Sequence, residues 1–186
     1  VFIMLKTSIL IRTKNEAGGL QKCLEAITKQ SHKVYEVVVV DSGSVDSTLQ
    51  IAKEHNCKII EIPSESFTFG YALNVGIQAC TGDIIVSISA HCLQLDNNWL
   101  AELINPFNDV EVVGVYGRQV PFIDASPIEE RGLVEAYPAQ RGSPPAGGSL
   151  LFSNANSAFR KSTWEEVDFD EDLTGAEDID WRHKVE

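Results

Sequence analysis

The sequence predicts an α/β fold in which helices cover both faces of a mostly parallel sheet, a three-layer α/β/α sandwich. Short apolar, β-branched runs alternate with segments of helical periodicity, and one run, Glu36–Asp41, reads EVVVVD. An uninterrupted apolar run is typical of a strand buried on both faces. The alternation indicates βαβ units, whose crossovers are right-handed and whose strands are parallel.

Six strands are predicted, each from a short run of apolar and β-branched residues. They cover residues 7–12, 36–41, 57–62, 84–88, 111–116 and 153–160. Apolar residues recur at helical spacing in two segments. The two helical faces consist of Leu20, Leu24 and Ile27, and then of Leu73, Gly76, Ile77 and Cys80. Further helices are expected over residues 47–55 behind an Asp46 N-cap, from Asp96 to about residue 105, and from near Asp178.

The rest of the chain is less regular. Residues 138–148 are rich in Pro and Gly and are predicted to form a loop that could move. Nine acidic residues lie between Glu165 and Asp180, most of them expected on a solvated surface. The helix begun near Asp178 is still in progress at the last residue. We therefore expect residues 1–186 to form a single domain that continues past this end.

Length and charge restrict the classes of function. The chain has 186 residues, 44% of them hydrophobic and 23% charged, which fits one globular domain. Its 15 Lys and Arg against 27 Asp and Glu residues give a net charge of −12. Nucleic-acid binding depends on phosphate neutralisation by basic side chains, so this acidity argues against it and against docking on anionic lipid. No run of about 18 apolar residues is present, so no membrane span is expected.

Four cysteines are spread along the first half of the chain, in or beside apolar segments: Cys23, Cys57, Cys80 and Cys92. No two have the spacing of a CxxC metal site, and buried free thiols are predicted in preference to disulfides. Free thiols favour a reducing compartment. The expected location is the cytoplasm, including the inner face of the membrane.

Polar residues gather after three predicted strands, in Thr13-Lys14-Asn15-Glu16, Asp41-Ser42-Gly43-Ser44 and Ser89-Ala90-His91. Ligands bind beyond the carboxyl ends of parallel strands, so a site is predicted at this edge. The loops match neither the GxGxxG nor the Walker A pattern, which disfavours classical dinucleotide and P-loop binding. Position alone leaves alternatives open: Asp41 as ligand acceptor or turn residue, His91 as ligand-facing or structural, and Glu177-Asp178 as functional acids or complements of a helix dipole.

Together, these clusters resemble the inverting glycosyltransferases of family two, which have the Rossmann-like GT-A fold. The matching pieces are SILIRTKNE from Ser8, D-x-x-S-x-D-x-T from Asp41, G-x-A-x-N-x-G from Gly70, Gly82-Asp83, N-x-A-F-R-K from Asn156, Phe169-Asp170 and Glu177-Asp178. The resemblance runs from about residue 7 to the end of the chain. It implies transfer of a sugar from a nucleoside-diphosphate sugar to a glycan or lipid-linked glycan acceptor, in cell-surface or exopolysaccharide assembly.

The resemblance also implies a role for each matching residue. Thr13, Asn15, Glu16, Asp41, Asn74, Ser89 and His91 would bind the nucleotide sugar, with Asp41 hydrogen-bonded to the base. Asn154 and Asn156 would lie near the acceptor sugar. Asp178 would be the general base that takes the acceptor proton, and Glu177 would orient the loop or the acceptor.

Two positions depart from the pattern of the family. The Asp-x-Asp usually found after the fourth strand reads Ser89-Ala90-His91, so Mn²⁺ or Mg²⁺ is expected to bind weakly, with His91 as the remaining candidate ligand. The Arg that many relatives carry before the Asn is Leu73 here. Charge for the diphosphate is then expected from Lys14, Arg118, Arg160, His183 or residues past the end of this sequence. The alternative is a degenerate, non-catalytic nucleotide-sugar-binding domain, and a nucleotidyltransferase fits less well because the first loop is not a glycine-rich basic loop.

Overall fold

A six-stranded sheet forms the centre of the protein, whose computed structural model describes residues 5–137 and 152–185. The strands are β1 Thr7–Thr13, β2 Glu36–Asp41, β3 Lys58–Glu61, β4 Ile84–Ser89, β5 Gly114–Tyr116 and β6 Asn156–Arg160. Their order across the sheet is β3-β2-β1-β4-β6-β5. The first four are parallel, whereas β6 runs antiparallel to both β4 and β5. The predicted mostly parallel sheet is therefore confirmed, with β5 and β6 shorter than predicted.

Seven helices are described: α1 Ala17–Thr28, α2 Thr48–Glu54, α3 Phe69–Ala79, α4 Trp99–Ile104, α5 Pro127–Ala136, α6 Lys161–Glu166 and α7 Glu177–Val185. The sequence predicts neither α5 nor α6. Asp46 was expected to be the N-cap of α2, but it lies one residue further out and accepts a hydrogen bond from the Thr48 N–H at 2.9 Å. Asp96 closes a similar turn onto Asn98, so α4 also begins later than predicted. The predicted loop at 138–148 lies outside the described residues.

The two faces of the sheet carry separate apolar clusters, which makes the fold three-layered as predicted. Ile9 and Ile11 of β1 pack on one face with α1 and α4. Leu10 lies on the other face with α3 and with Trp181 of α7. This alternation follows from the two-residue period of a strand. It places Arg12 of β1 on the same face as Leu10.

A carboxylate joins strands at the amino edge of the sheet. Glu36, the first residue of β2, accepts hydrogen bonds from the Ser8 hydroxyl at 2.6 Å and from the Thr81 N–H and hydroxyl at 2.6 and 2.8 Å. Burial acts to raise the pKa of Glu36, but these hydrogen bonds and the charge of Lys58 together lower it. The edge opposite the candidate site is thus held by an ionised side chain.

The four cysteines are free thiols. Burial raises the pKa of Cys23 and of Cys80 to about 12, so both are protonated and unreactive at neutral pH. This confirms the prediction of buried free thiols for these two residues, whereas Cys57 and Cys92 are partly exposed. In the described part of the chain, no helix has the length and apolar composition that crossing a bilayer requires.

Candidate active site

Three of the predicted site residues lie together at the carboxyl edge of the sheet. Thr13 at the end of β1 pairs in register with Asp41 at the end of β2, and Arg12 pairs with Ser89 at the end of β4. The Thr13 hydroxyl is buried and has no hydrogen-bond partner within residues 5–137 and 152–185. Parallel strands thus bring the predicted clusters to one edge, as the strand-end rule requires.

The loops after β1 and β2 interlock. The Asn15 N–H donates to the Ser44 hydroxyl at 2.8 Å, and the Asn15 amide oxygen accepts from the Val45 N–H at 2.7 Å. The Glu16 N–H donates to the Thr48 hydroxyl at 3.0 Å. Asn15 has a φ of 52°, in the left-handed region that Asn tolerates better than most residues. The amide oxygen of Asn15 therefore holds the two loops together, which the sequence prediction did not assign to it.

Asp41 organises the turn that follows β2. Its buried carboxylate accepts hydrogen bonds from the Gly43 N–H at 3.0 Å, the Ser44 N–H at 2.8 Å and the Ser44 hydroxyl. A carboxylate has about four acceptor positions, so three are used within the turn. The structure therefore realises the turn-forming role that the sequence left open as an alternative to ligand binding.

The acidic pair Glu177-Asp178 begins α7 and contacts β1. Glu177 is buried and lies 3.7 Å from Arg12, measured from Oε1 to Nη1. Asp178 accepts a hydrogen bond from the Asn154 N–H at 3.3 Å. Ala176, directly before the pair, has a φ of 61°, so a left-handed turn leads the chain into the helix. The start of α7 is thereby fixed beside the carboxyl end of β1.

Burial and mutual charge dominate the electrostatics of this cluster. Burial raises the pKa of Glu177, as does the neighbouring charge of Asp178, while Arg12 and Asn154 act to lower it. Burial lowers the pKa of Arg12 against the raising effect of both carboxylates. Arg12 is a site residue that the sequence analysis missed. The available signal was a charged residue in an otherwise apolar strand, because buried arginines are rare unless paired.

A polar side-chain contact joins the loops after β1 and β4. His91 Nδ1 lies 3.0 Å from Glu16 Oε1, and both side chains reach solvent. Among the described residues, no group of three or more His, Cys, Asp or Glu side chains could hold a metal. Glu16 and His91 therefore offer at most two protein donors, one oxygen and one nitrogen, at the place where the Asp-x-Asp is missing.

Asn74 is occupied by the protein itself. Its amide oxygen accepts from Trp164 Nε1 at 2.9 Å and from the Phe169 N–H at 3.1 Å. Its amide nitrogen donates to the Phe169 carbonyl at 2.8 Å and to Glu171 Oε1 at 2.9 Å. Four bonds use the full capacity of an amide side chain. Asn74 therefore clamps α6 and the segment after it onto α3, and its expected contact with the nucleotide stays a prediction.

The two predicted acceptor residues differ in their surroundings. Asn154 is buried next to the acidic pair, and its side-chain oxygen accepts from the Ser157 hydroxyl at 3.3 Å. Asn156 accepts from Trp99 Nε1 at 3.0 Å and donates to the Arg118 carbonyl at 3.4 Å. Asn154 therefore lies at the candidate site, whereas both amide atoms of Asn156 are bonded within the protein.

The cations expected to face a diphosphate are scattered. Arg160 pairs with Ile84 at the start of β4 and donates to the carbonyls of nearby loops, so it lies at the opposite edge and its expected role is wrong. Lys14 is exposed directly after β1, and Arg118 follows β5 at the carboxyl edge. His183 is exposed in the last turn of α7. Of these four cations, Lys14 and Arg118 therefore follow strands at the carboxyl edge of the sheet, where the site lies.

The fold is the GT-A fold of glycosyltransferases. The structure is similar to the mannosyltransferase PcManGT from Pyrobaculum calidifontis in complex with GDP-Man and Mn²⁺, with a TM-score of 0.74 and 23% identity over 99% of this chain and 52% of that chain. It is also similar to S. aureus TarS 1-349 in complex with UDP-GlcNAc, with a TM-score of 0.68 and 21% identity over 97% of this chain and 53% of that one. Residues 8–166 match the family described as Glycosyl transferase family 2, and the chain belongs to this family.

Curated relatives give the nearest functional context. The O-antigen chain rhamnosyltransferase RfbN of Salmonella typhimurium is 27% identical over 185 residues, covering 94% of this chain and 59% of the relative. The O-antigen chain rhamnosyltransferase WbaN of Salmonella anatum is 29% identical over 163 residues, covering 83% of this chain and 52% of the relative. The chain thus spans between about half and three fifths of the length of these relatives.

Proposed function

We propose that the protein is an inverting glycosyltransferase that moves a sugar from a nucleoside-diphosphate sugar to an acceptor hydroxyl, with Asp178 as the general base. The observation that carries the proposal is the position of the acidic pair. Asp178 is the second residue of α7, next to Glu177, which contacts Arg12 near the carboxyl end of β1. The same sheet edge holds Thr13, Asp41 and Ser89. Membership of the family and the names of the relatives support the same reaction class.

The chemistry needs one base. Asp178 accepts the proton of the acceptor hydroxyl while its oxygen forms a bond to the anomeric carbon, and the bond from that carbon to the diphosphate oxygen breaks on the opposite face. A single displacement of this kind inverts the configuration and needs no second carboxylate. General-base assistance of this type is worth about 10²–10⁴-fold in rate.

The donor would occupy the carboxyl edge. In this proposal Thr13, Asn15, Asp41 and Ser89 line the nucleotide-sugar site, where the buried Thr13 hydroxyl is free to donate. Lys14, exposed after β1, would approach the diphosphate. These groups bind and orient the donor so that its anomeric carbon faces Asp178.

A divalent metal fits this edge only in part. Glu16 and His91 are adjacent and reach solvent, so together with diphosphate oxygens they would hold Mn²⁺ or Mg²⁺. A bound metal would offset the charge that develops on the leaving diphosphate. The protein's own contribution is to place the Glu16 carboxylate and the His91 ring within 3.0 Å of each other.

The acceptor is proposed to be a growing glycan or lipid-linked glycan. The relatives named as O-antigen chain rhamnosyltransferases favour a glycan in cell-surface polysaccharide assembly. Asn154, whose N–H bonds to Asp178, would lie beside the acceptor sugar. The proposed place of action is the cytoplasm, including the inner face of the membrane.

The test combines binding with turnover. UDP-, GDP-, TDP- and CMP-sugars are screened by thermal shift with and without Mn²⁺, since a ligand at 100 times its Kd stabilises by about 2.7 kcal/mol. Asp178→Asn is expected to lower kcat by about 10²–10⁴-fold while the donor-induced shift persists. Asp172→Asn, an exposed acid of the same segment, serves as the matched control and should keep full activity. Full activity of Asp178→Asn would contradict the assignment.

The second candidate is a non-catalytic nucleotide-sugar-binding domain. The replacement of Asp-x-Asp by Ser89-Ala90-His91 and the limit of two metal donors at this place favour it. It predicts donor binding without transfer or hydrolysis under any metal condition. The same screen, followed by a product assay, separates the two functions.

A further inference from the structure

Arg12 is a buried cation at the centre of the candidate site. It is the penultimate residue of β1, and its guanidinium lies 5.1 Å from the centre of the Phe69 ring, at the start of α3. On its other side it faces Glu177 at 3.7 Å, with the side chain 11% exposed. Its Nε and Nη1 atoms are buried and have no hydrogen-bond partner within the described chain. Among the described residues, the contacts that hold the side chain are its approach to Glu177 and its packing on the Phe69 ring.

Stability does not explain an arginine at this position. Burying a charge is costly unless it is paired, and apolar replacements of buried ion pairs are often neutral or stabilising. Leu10, two residues earlier on the same face of β1, shows that this side of the strand packs well with an aliphatic residue. The pair Arg12–Glu177 thus calls for a role other than holding the core together.

The neighbouring groups indicate what that role is. Glu177 and Asp178 are adjacent carboxylates, and like charges at this separation oppose each other's ionisation. Of the groups that shift the pKa of Glu177, Arg12 is the cation. The other titratable groups that face the cluster are Cys92, which acts on Arg12, and Tyr137, which is influenced by Asp178; burial raises the pKa of both. Arg12 is therefore the charge that offsets Glu177.

We propose that Arg12 is the positioning residue of the acidic pair. Its guanidinium neutralises the buried Glu177 carboxylate and fixes the first turn of α7 against the end of β1. The Asp178 carboxylate, next along the helix, is thereby set toward the acceptor side and relieved of an unbalanced neighbouring charge. This inference rests on the proposed function, in which Asp178 is the base.

A direct contact of Arg12 with the donor diphosphate is the competing explanation, because Nε and Nη1 have no hydrogen-bond partner among the described residues. The two explanations differ in measurable ways. Positioning acts through Glu177, so removing Glu177 should cancel the effect of removing Arg12. A direct diphosphate contact acts on donor affinity and should persist when Glu177 is absent.

Four variants separate these cases: Arg12→Met, Arg12→Lys, Glu177→Gln and the double variant of Arg12→Met with Glu177→Gln. Arg131→Met, which removes an exposed arginine of α5, is the control. The first measurement is the carbon-13 NMR titration of the Glu177 carboxyl, which requires no turnover. Its midpoint is expected at higher pH in Arg12→Met and near the wild-type value in Arg12→Lys.

The second measurement is steady-state kinetics. Arg12→Met should lower kcat by about 10²-fold, the scale of a misplaced catalytic group, with the donor KM unchanged. As the pH is lowered, the kcat of Arg12→Met should begin to fall at a higher pH than that of the wild type, because the acidic pair has lost its cation. Arg12→Lys should recover most of the rate, and the double variant should lose no more than Glu177→Gln alone. Arg131→Met should match the wild type throughout.

Two results would overturn the inference: an unchanged Glu177 midpoint in Arg12→Met, or a donor KM that rises equally with and without Glu177. Failure of the proposed function has a different signature, namely full activity of Asp178→Asn or donor binding without turnover in the wild type. In that case the Glu177 midpoint still decides whether Arg12 controls the pair. Should Arg12→Met fail to fold, the neutral polar substitution Arg12→Gln takes its place in both measurements.

Discussion

The substitution Asn74→Leu removes the four hydrogen bonds by which a buried amide of α3 holds α6 and the segment after it, while adding little volume. Two of the bonded groups, the N–H and carbonyl of Phe169, are buried, and a third, Trp164 Nε1, is partly buried. The fourth, the Glu171 carboxylate, is exposed and can be solvated instead. The change therefore leaves two buried polar groups and one partly buried polar group without their partner.

The expected loss of stability follows from that count. An interior polar group left unpaired costs about 1–3 kcal/mol, and the segment can shift to let water reach some of them, which gives roughly 3–5 kcal/mol in total. Against a typical stability of about 5–15 kcal/mol this is a large fraction. The melting temperature should fall by roughly 6–20 °C for a chain of this size.

Urea unfolding followed by circular dichroism measures the loss, and thermal shift with a nucleotide sugar measures binding. Asn108→Ala is the control, because the Asn108 amide is exposed and bonds within its own turn to Asn105. It should change stability by less than about 1 kcal/mol. If Asn74→Leu lost less than about 1 kcal/mol but bound donor more weakly, the amide would belong to the nucleotide site, as the sequence had predicted.

Two further predictions concern packing and pH. Gly76→Ala should destabilise the protein by about 1–3 kcal/mol in urea unfolding, because the added Cβ would clash with Leu10 Cδ1 and lie 2.8 Å from Val40 Cγ2. Gly18→Ala, in the first turn of α1 with open space around the added Cβ, should stabilise the protein by about 0.4–1 kcal/mol, and equal effects of the two substitutions would refute the packing argument. In the folded protein, burial acts to raise the pKa of Glu36, but hydrogen bonds, chiefly from Ser8, outweigh burial and lower it. The stabilisation that Glu36 provides is therefore present above the ordinary pKa of 4.5 and is lost as the pH falls through the folded pKa. The difference in unfolding free energy between the wild type and Glu36→Gln should accordingly shrink as pH drops below 4.5, and a constant difference would contradict the assignment.

The sequence predicts the parallel part of the fold well because each of those strands is a run of apolar, β-branched residues. β2 lies over the residues predicted for it, Glu36–Asp41. The helices α5 and α6 escape prediction for different reasons. Charged and apolar residues of α5 form no continuous apolar face, and six residues in α6 are too few to show a helical period.

The candidate site is only partly predictable because its residues have partners far along the chain. Thr13, Asp41 and Ser89 come together because each ends a parallel strand, and the carboxyl ends of parallel strands lie at one edge of the sheet. The positions of the strand ends in the sequence are enough to predict this. Arg12 and Asn74 obey no such rule, since their partners lie in α7 and in the segment after α6. A motif shows which residue types recur, but only the packed structure shows which hydrogen bonds those residues have left to offer.

A buried tryptophan one helical turn later determines which acid of the pair Glu177-Asp178 faces the interior. Trp181 packs against an aromatic cluster and donates a hydrogen bond from Nε1 to a backbone carbonyl at 2.6 Å. The cluster consists of Phe152, Phe159 and Phe169. Residues four apart share a helix face, so the anchored Trp181 turns Glu177 inward to Arg12. Asp178 lies about 100° further round the helix, on the side of Asn154. The inner acid therefore meets the buried cation, and the second acid is the less buried of the two.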